Sequence, residues 1–242
     1  MTTTEASTPD ARDPLARTAT TRRVGLAVAM LLAPWLIVAA EVGHAVMTLH
    51  GGDDLEPGND LALAREHLTL DRWAGLAALV GALLLVPAVL GIMRLVRVRA
   101  ARLGLVGGVL TAAAYVCYFA MVFQGFTTDA MAKAGGSTSQ DVAVLQAVLD
   151  EPLTMWVYLL FVLGNFLGTF LLGLALVRAH TAGRLAGFGL MAWPVFHLLG
   201  FPFSEVIGAT AQAIGFALAA TALFRRRDPA PAAPELYELL RR

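Results

Sequence analysis

The amino-acid sequence predicts an all-α fold, a six-helix transmembrane bundle with both termini cytoplasmic. Three observations carry that expectation. Apolar residues make up 57% of the 242 and charged residues only 15%, with a mean hydropathy of +0.67, whereas soluble domains stay near about 45 to 50% apolar. Apolar runs long enough to cross a hydrocarbon layer of about 30 Å, at about 1.5 Å per helical residue, recur along the whole chain. Arginine is concentrated in alternate connections between those runs, the asymmetry that orients spans with their basic ends in the cytoplasm.

The chain opens with residues 1–23, rich in Thr, Ala and charge and without an apolar period, which reads as a disordered cytoplasmic tail. The six-span domain covers residues 24–224, with spans expected at Val24–Leu49, Ala74–Val96, Leu103–Thr127, Leu153–Ala179, Leu185–Phe203 and Glu205–Phe224. In lipid these must be helices, because each backbone donor and acceptor has to be satisfied within its own segment. Residues 225–242 form a short cytoplasmic tail in which "DPAPAAP" is a stiff linker.

Orientation follows from the arginines. Arg12, Arg17, Arg22 and Arg23 precede the first span, and Arg94, Arg97, Arg99 and Arg102 join the second to the third. Arg178 and Arg184 join the fourth to the fifth, and Arg225, Arg226, Arg227, Arg241 and Arg242 follow the last. The other connections carry only Arg65, Arg72 and Lys133 among acids such as Asp53, Asp54, Glu56 and Asp60. Trp73 and Trp156 then sit at outer interfaces, as an aromatic belt requires. A rival reading of the first span is a secretory or twin-arginine signal, "TRRVGLA" with its apolar run cut after Ala40.

Both long outer connections show helical spacing of apolar residues, "DLALAREHLTLD" and "SQDVAVLQAVLD", and each is expected to lay a short amphipathic helix on the outer surface. The acid- and turn-rich "HGGDDLEPGND" lacks the spacing of a calcium loop and reads as solvated. Pro34, Pro87 and Pro194 interrupt spans and are expected to kink them. Gly104 with Gly108, Gly164 with Gly168, and Ala211 with Gly215 are small residues at helical spacing, which permit close helix contact.

Within the spans a few polar residues remain. "IVAAEVGHAVMTLH" places Glu41 and His44 three residues apart on one face of the first helix, with Glu41 about 26 Å up from the inner arginines. Gln124 near the outer end of the third span, His197 near that of the fifth, and Glu205 at the start of the sixth fall at a similar level. Asn165 and Gln212 lie nearer the midplane and suit helix-contact hydrogen bonds. Glu205 also has a plain structural use, since it follows Ser204 and acids suit a first helical turn.

A carboxylate inside a bilayer costs about 2.5 to 3.5 kcal/mol at the centre, so it is retained when paired, hydrated or used. Glu41, His44, Gln124, His197 and Glu205 are therefore the expected proton or ligand pocket. The first expectation is a binding, sensing or transport protein for a small solute or proton, with Glu41 as the titrating group. The alternative is a membrane-embedded metal-dependent enzyme or redox protein. In it Glu41, His44, His197 and Glu205 hold a divalent metal such as zinc or ferrous iron, or His44 and His197 a haem. A third reading is a subunit whose small-residue faces dock a membrane partner or a second copy. The expected partner in every case is the lipid bilayer of a plasma membrane, with no nucleic acid. No phosphate loop, "HExxH", "GxSxG" or "CxxC" occurs, and the single Cys117 excludes an intrachain disulfide framework.

Overall fold

The computed structural model describes residues 14–49, 56–136, 138–201 and 203–225. Most of both tails and the acidic loop containing Asp53 and Asp54 lie outside them. The described residues form seven helices and no strand: α1 (Pro14–Thr48), α2 (Pro57–Val96), α3 (Ala101–Ala134), α4 (Thr138–Leu149), α5 (Pro152–Ala179), α6 (Arg184–Leu199) and α7 (Ser204–Arg225). Five of them, α1, α2, α3, α5 and α7, are long and apolar enough to cross a membrane by length and composition.

Several expected boundaries move. The first helix begins at Pro14, so residues 14–23 extend the span instead of belonging to an unstructured tail. The fifth expected span is only the 16 residues of α6, about 24 Å long, because Gly200 at φ +61° ends it, a left-handed C-terminal conformation that favours glycine. Ser204 is the first helical residue of α7 and not its cap.

The first outer connection does not lie flat as a separate helix. Residues 57–73 run on into the second span, giving a 40-residue α2 whose only non-helical backbone is at His67 (φ −118°, ψ 26°). Arg65, about two turns before Trp73, ties this extension to α4 through Asp141 at 3.1 Å and Thr138 at 2.7 Å. Leu61 and Leu145 are buried where the two helices meet. Pro34, Pro87 and Pro194 all lie inside helices, and the break in helical backbone within α2 falls at His67, a position the sequence did not mark.

Consecutive long helices pack antiparallel, with α1 on α2, α2 on α3, α3 on α5, α5 on α6, α6 on α7 and α7 back on α1, while α4 rests outside against α2 and α5. Glycines set the closest approaches. A Cβ at Gly168 would sit 2.6 Å from the Thr111 backbone nitrogen, and one at Gly107 2.7 Å from that of Leu172. Gly173 faces Gly187 across α5 and α6, and Gly189 faces Gly215 across α6 and α7. Such contacts replace the hydrophobic driving force that lipid cannot supply.

Antiparallel packing gathers Arg22, Arg23, Arg94, Arg97, Arg99, Arg102, Arg178, Arg184 and Arg225 at one end of the bundle. There the Arg99 guanidinium donates to the Ala179 carbonyl at 3.3 Å, satisfying an orphan acceptor at the end of α5. Just inside this end lies the densest core, where Met30, Ile92, Leu172, Leu176, Phe216 and Leu223 are buried together. Toward the other, acidic end the interior becomes polar. The outside of the ring is apolar, with Leu32, Leu83, Val109 and Leu163 exposed, a surface that suits lipid. Trp73 and Trp156 are exposed near the acidic end.

Candidate functional site

A cavity of about 390 Å³ opens at the acidic end of the ring. α1, α2 and α3 each contribute a stripe at helical spacing. From α1 come Ala40, Glu41, His44 and Met47; from α2, Asp71, Gly75 and Ala78; from α3, Tyr118, Val122, Gly125 and Asp129. Phe161 of α5, Trp193 and His197 of α6, and Glu205 of α7 complete the wall. Four of the five expected pocket residues, Glu41, His44, His197 and Glu205, thus line one chamber.

The local fold explains the convergence. Gly200 stops α6 and the chain reverses through Phe201 and Phe203 into α7, with Ser204 N–H bonded to the Phe201 carbonyl at 3.0 Å. That tight reversal holds His197 and Glu205 side by side, with Nδ1 3.0 Å from Oε1. Because α7 also packs on α1, the Glu205 and Glu41 carboxyls line one chamber within electrostatic reach of each other. His44 and His197 are within electrostatic reach of the Glu41 carboxylate. His197 is held in orientation by Trp193, stacked at 5.0 Å, and by Phe166, edge-on at 5.3 Å.

His44 is the hub. It also lines a cavity of about 320 Å³ against Phe203 and Glu205, and another of about 430 Å³ between α2, α3, α4 and α5. Gln124 lines this last cavity, with Asp60, Thr128 and Tyr158, and does not reach the chamber around Glu41. On α3 it lies one residue off the Tyr118–Val122–Gly125–Asp129 stripe, about 100° around the helix.

Two carboxylates that the sequence left in connections belong to the chamber. Asp71 on α2 and Asp129 on α3 line it together, within electrostatic reach of each other. Arg72 Nε lies 3.7 Å from Asp129 Oδ2. Asp129 is buried, with Oδ1 lacking a hydrogen-bond partner among the described residues. Uninterrupted helix through residues 68–73 was the available signal, because it sets Asp71 on the face of Ala74 and Ala78.

One turn below the chamber lies a second polar layer. The Tyr115 hydroxyl of α3 is within reach of the buried side chains of Asn165 on α5 and Gln212 on α7. Tyr115 meets Tyr118 edge-on at 6.0 Å, and Tyr118 stacks on Phe161 at 4.9 Å. Neither Asn165 amide atom has a well-formed partner. Beneath this layer the Met30–Phe216–Leu172 core closes the interior toward the arginine end.

Among the described residues, no group of three or more His, Cys, Asp or Glu side chains has an arrangement suited to a metal ion. The small-residue stripes offered as docking faces are occupied within the chain, by α2 for Gly104 and Gly108, by α3 for Gly164 and Gly168, and by α6 for Gly215. Comparison with known proteins finds no family model, no curated protein and no solved structure that matches this chain. Fold and site define a helical, membrane-embedded class with an acid and histidine chamber at one end.

Proposed function

We propose that the chain is a six-span membrane protein of a plasma membrane, with α6 as a short fifth span and the arginine end in the cytoplasm. Its chamber opens outward and binds a small solute or proton, as a receptor, sensor or transporter. The carrying observation is the junction of Glu41, Glu205 and His197, which come from three helices and meet at the wall of one cavity. A bilayer charges heavily for ionisable groups kept without use, and a purely structural pair would not need a cavity beside it. The apolar core on the arginine side closes the chamber inward, so binding is the basal act and transport requires that core to part.

The orientation is supported by the gathering of arginines at one end. It is tested by single cysteines introduced after Cys117→Ser. Ser139→Cys on α4 should react with an impermeant maleimide in intact cells, and Thr18→Cys only after permeabilisation. The opposite pattern overturns the orientation.

Function is tested in liposomes carrying a trapped pH dye. An imposed pH gradient should dissipate faster with the wild-type protein than with Glu41→Gln, at matched incorporation. Equal rates, with neither variant faster than empty liposomes, remove the proton role and leave solute binding as the form the proposal must take.

A further inference from the structure

We infer that the chamber takes a small organic cation, an ammonium head carried on an apolar body. The inference rests on the pocket reading above and names its ligand class.

The wall is chemically one-sided. Glu41, Glu205, Asp71 and Asp129 all line it, and neither lysine nor arginine does. Four carboxyls share the lining with two imidazoles, so acidic groups outnumber basic ones. His44 and His197 face the Glu41 end, where the His197–Glu205 contact leaves that end internally engaged. The Asp71–Asp129 end is different. Asp129 is only 3% exposed, and its Oδ1 has no hydrogen-bond partner. Arg72 approaches the other oxygen, at 3.7 Å, from a half-exposed position outside the lining. A buried carboxylate oxygen facing a cavity without a donor costs about 1 to 3 kcal/mol or more when charged, which a ligand cation would recover.

The remaining wall fits the body of such a ligand. Tyr118, Phe126, Phe161 and Trp193 present rings to the same cavity, and ring faces attract ammonium groups, more strongly where water is excluded. An anion would meet four acids, and the nearby Arg72 already lies 3.7 Å from one of them. A neutral solute would leave the carboxylate charge on the cavity side unmatched. On this reading the head sits at Asp71 and Asp129, and the body lies against the Tyr118–Phe161 stack, whose rings are 4.9 Å apart.

Calorimetric titration of the full chain in nanodiscs with benzylammonium tests this, against phenylacetate and benzyl alcohol as anionic and neutral probes. The expected result is saturable binding of the cation alone, weakened at least about tenfold by Asp129→Asn and unaffected by Glu66→Gln on the exposed outer part of α2. If Asp129→Asn does not fold, Tyr118→Leu, which removes a ring and no charge, should still weaken the cation several-fold. Equal binding of phenylacetate or benzyl alcohol overturns the cation assignment, as does a cation affinity indifferent to both substitutions. If phenylacetate binds and Glu41→Gln abolishes that binding, the pocket stands and the cation class falls. If no probe binds, the cation class falls and the liposome assay decides the pocket alone.

Discussion

His197 on α6 and Glu205 on α7 place Nδ1 and Oε1 3.0 Å apart across a chain reversal, and Glu205 reaches on to Glu41 of α1. One carboxylate thus joins the last helical hairpin to the first helix. The two side chains remain 36% and 44% exposed, so the pair itself should be worth only about 0.2 to 1 kcal/mol. A double-mutant cycle with His197→Ala and Glu205→Gln, read by thermal unfolding in detergent, should give a coupling in that range. Coupling above about 3 kcal/mol would mean a desolvated pair, at odds with an open chamber.

Gly168 packs so closely on α3 that a Cβ there would lie 2.6 Å from the Thr111 nitrogen. Gly168→Ala must push α3 and α5 apart and is expected to cost about 1 to 3 kcal/mol. Gly25→Ala, where a Cβ meets nothing within 4 Å, should be neutral or stabilising by about 1 kcal/mol through helix propensity. Reversible denaturation in mixed micelles compares the two, and equal effects would count against the α3–α5 contact.

Arg65 joins the outer extension of α2 to Asp141 and Thr138 of α4. Its guanidinium is 29% exposed, so Arg65→Ala should lower global stability by about 1 kcal/mol or less. Its local effect should be larger, and hydrogen exchange in α4 should accelerate while exchange in α5 does not change. Uniform acceleration across both helices would show that the tie is not local.

Asn165 is 1% exposed, with both amide atoms lacking well-formed partners. A buried unsatisfied amide is destabilising, so Asn165→Leu should raise thermal stability while reducing any flux through the layer of Tyr115 and Gln212. A variant that is less stable and equally active would make Asn165 a packing residue only.

The spans were legible because a bilayer imposes one length and one polarity on each of them, and the glycine pairs were legible from their spacing. Glu41 stood out as a charge inside an apolar run, and its neighbours followed once alternate helices ran in opposite directions. Asp71 and Asp129 did not stand out, since acids near a helix end usually face water. Only the continuation of α2 and α3 past the apolar run turns them inward. Gln124 failed by phase, because depth in the membrane is readable from sequence position while rotation about the helix axis depends on which neighbour it packs against. The short α6 was hidden by Phe201 and Phe203, whose apolar side chains mask the break that Gly200 makes.

That break has a mechanical consequence. On the six-span reading proposed above, a helix of 16 residues, about 24 Å long, falls short of a hydrocarbon layer of about 30 Å and gives the ring one low wall. Lipid would then thin against that side, at a fraction of a kcal/mol per Å of mismatch. The side chains along the low wall include His197, so bilayer thickness becomes a variable the molecule feels at its mouth, and short-chain lipids should relieve a load that long-chain lipids impose.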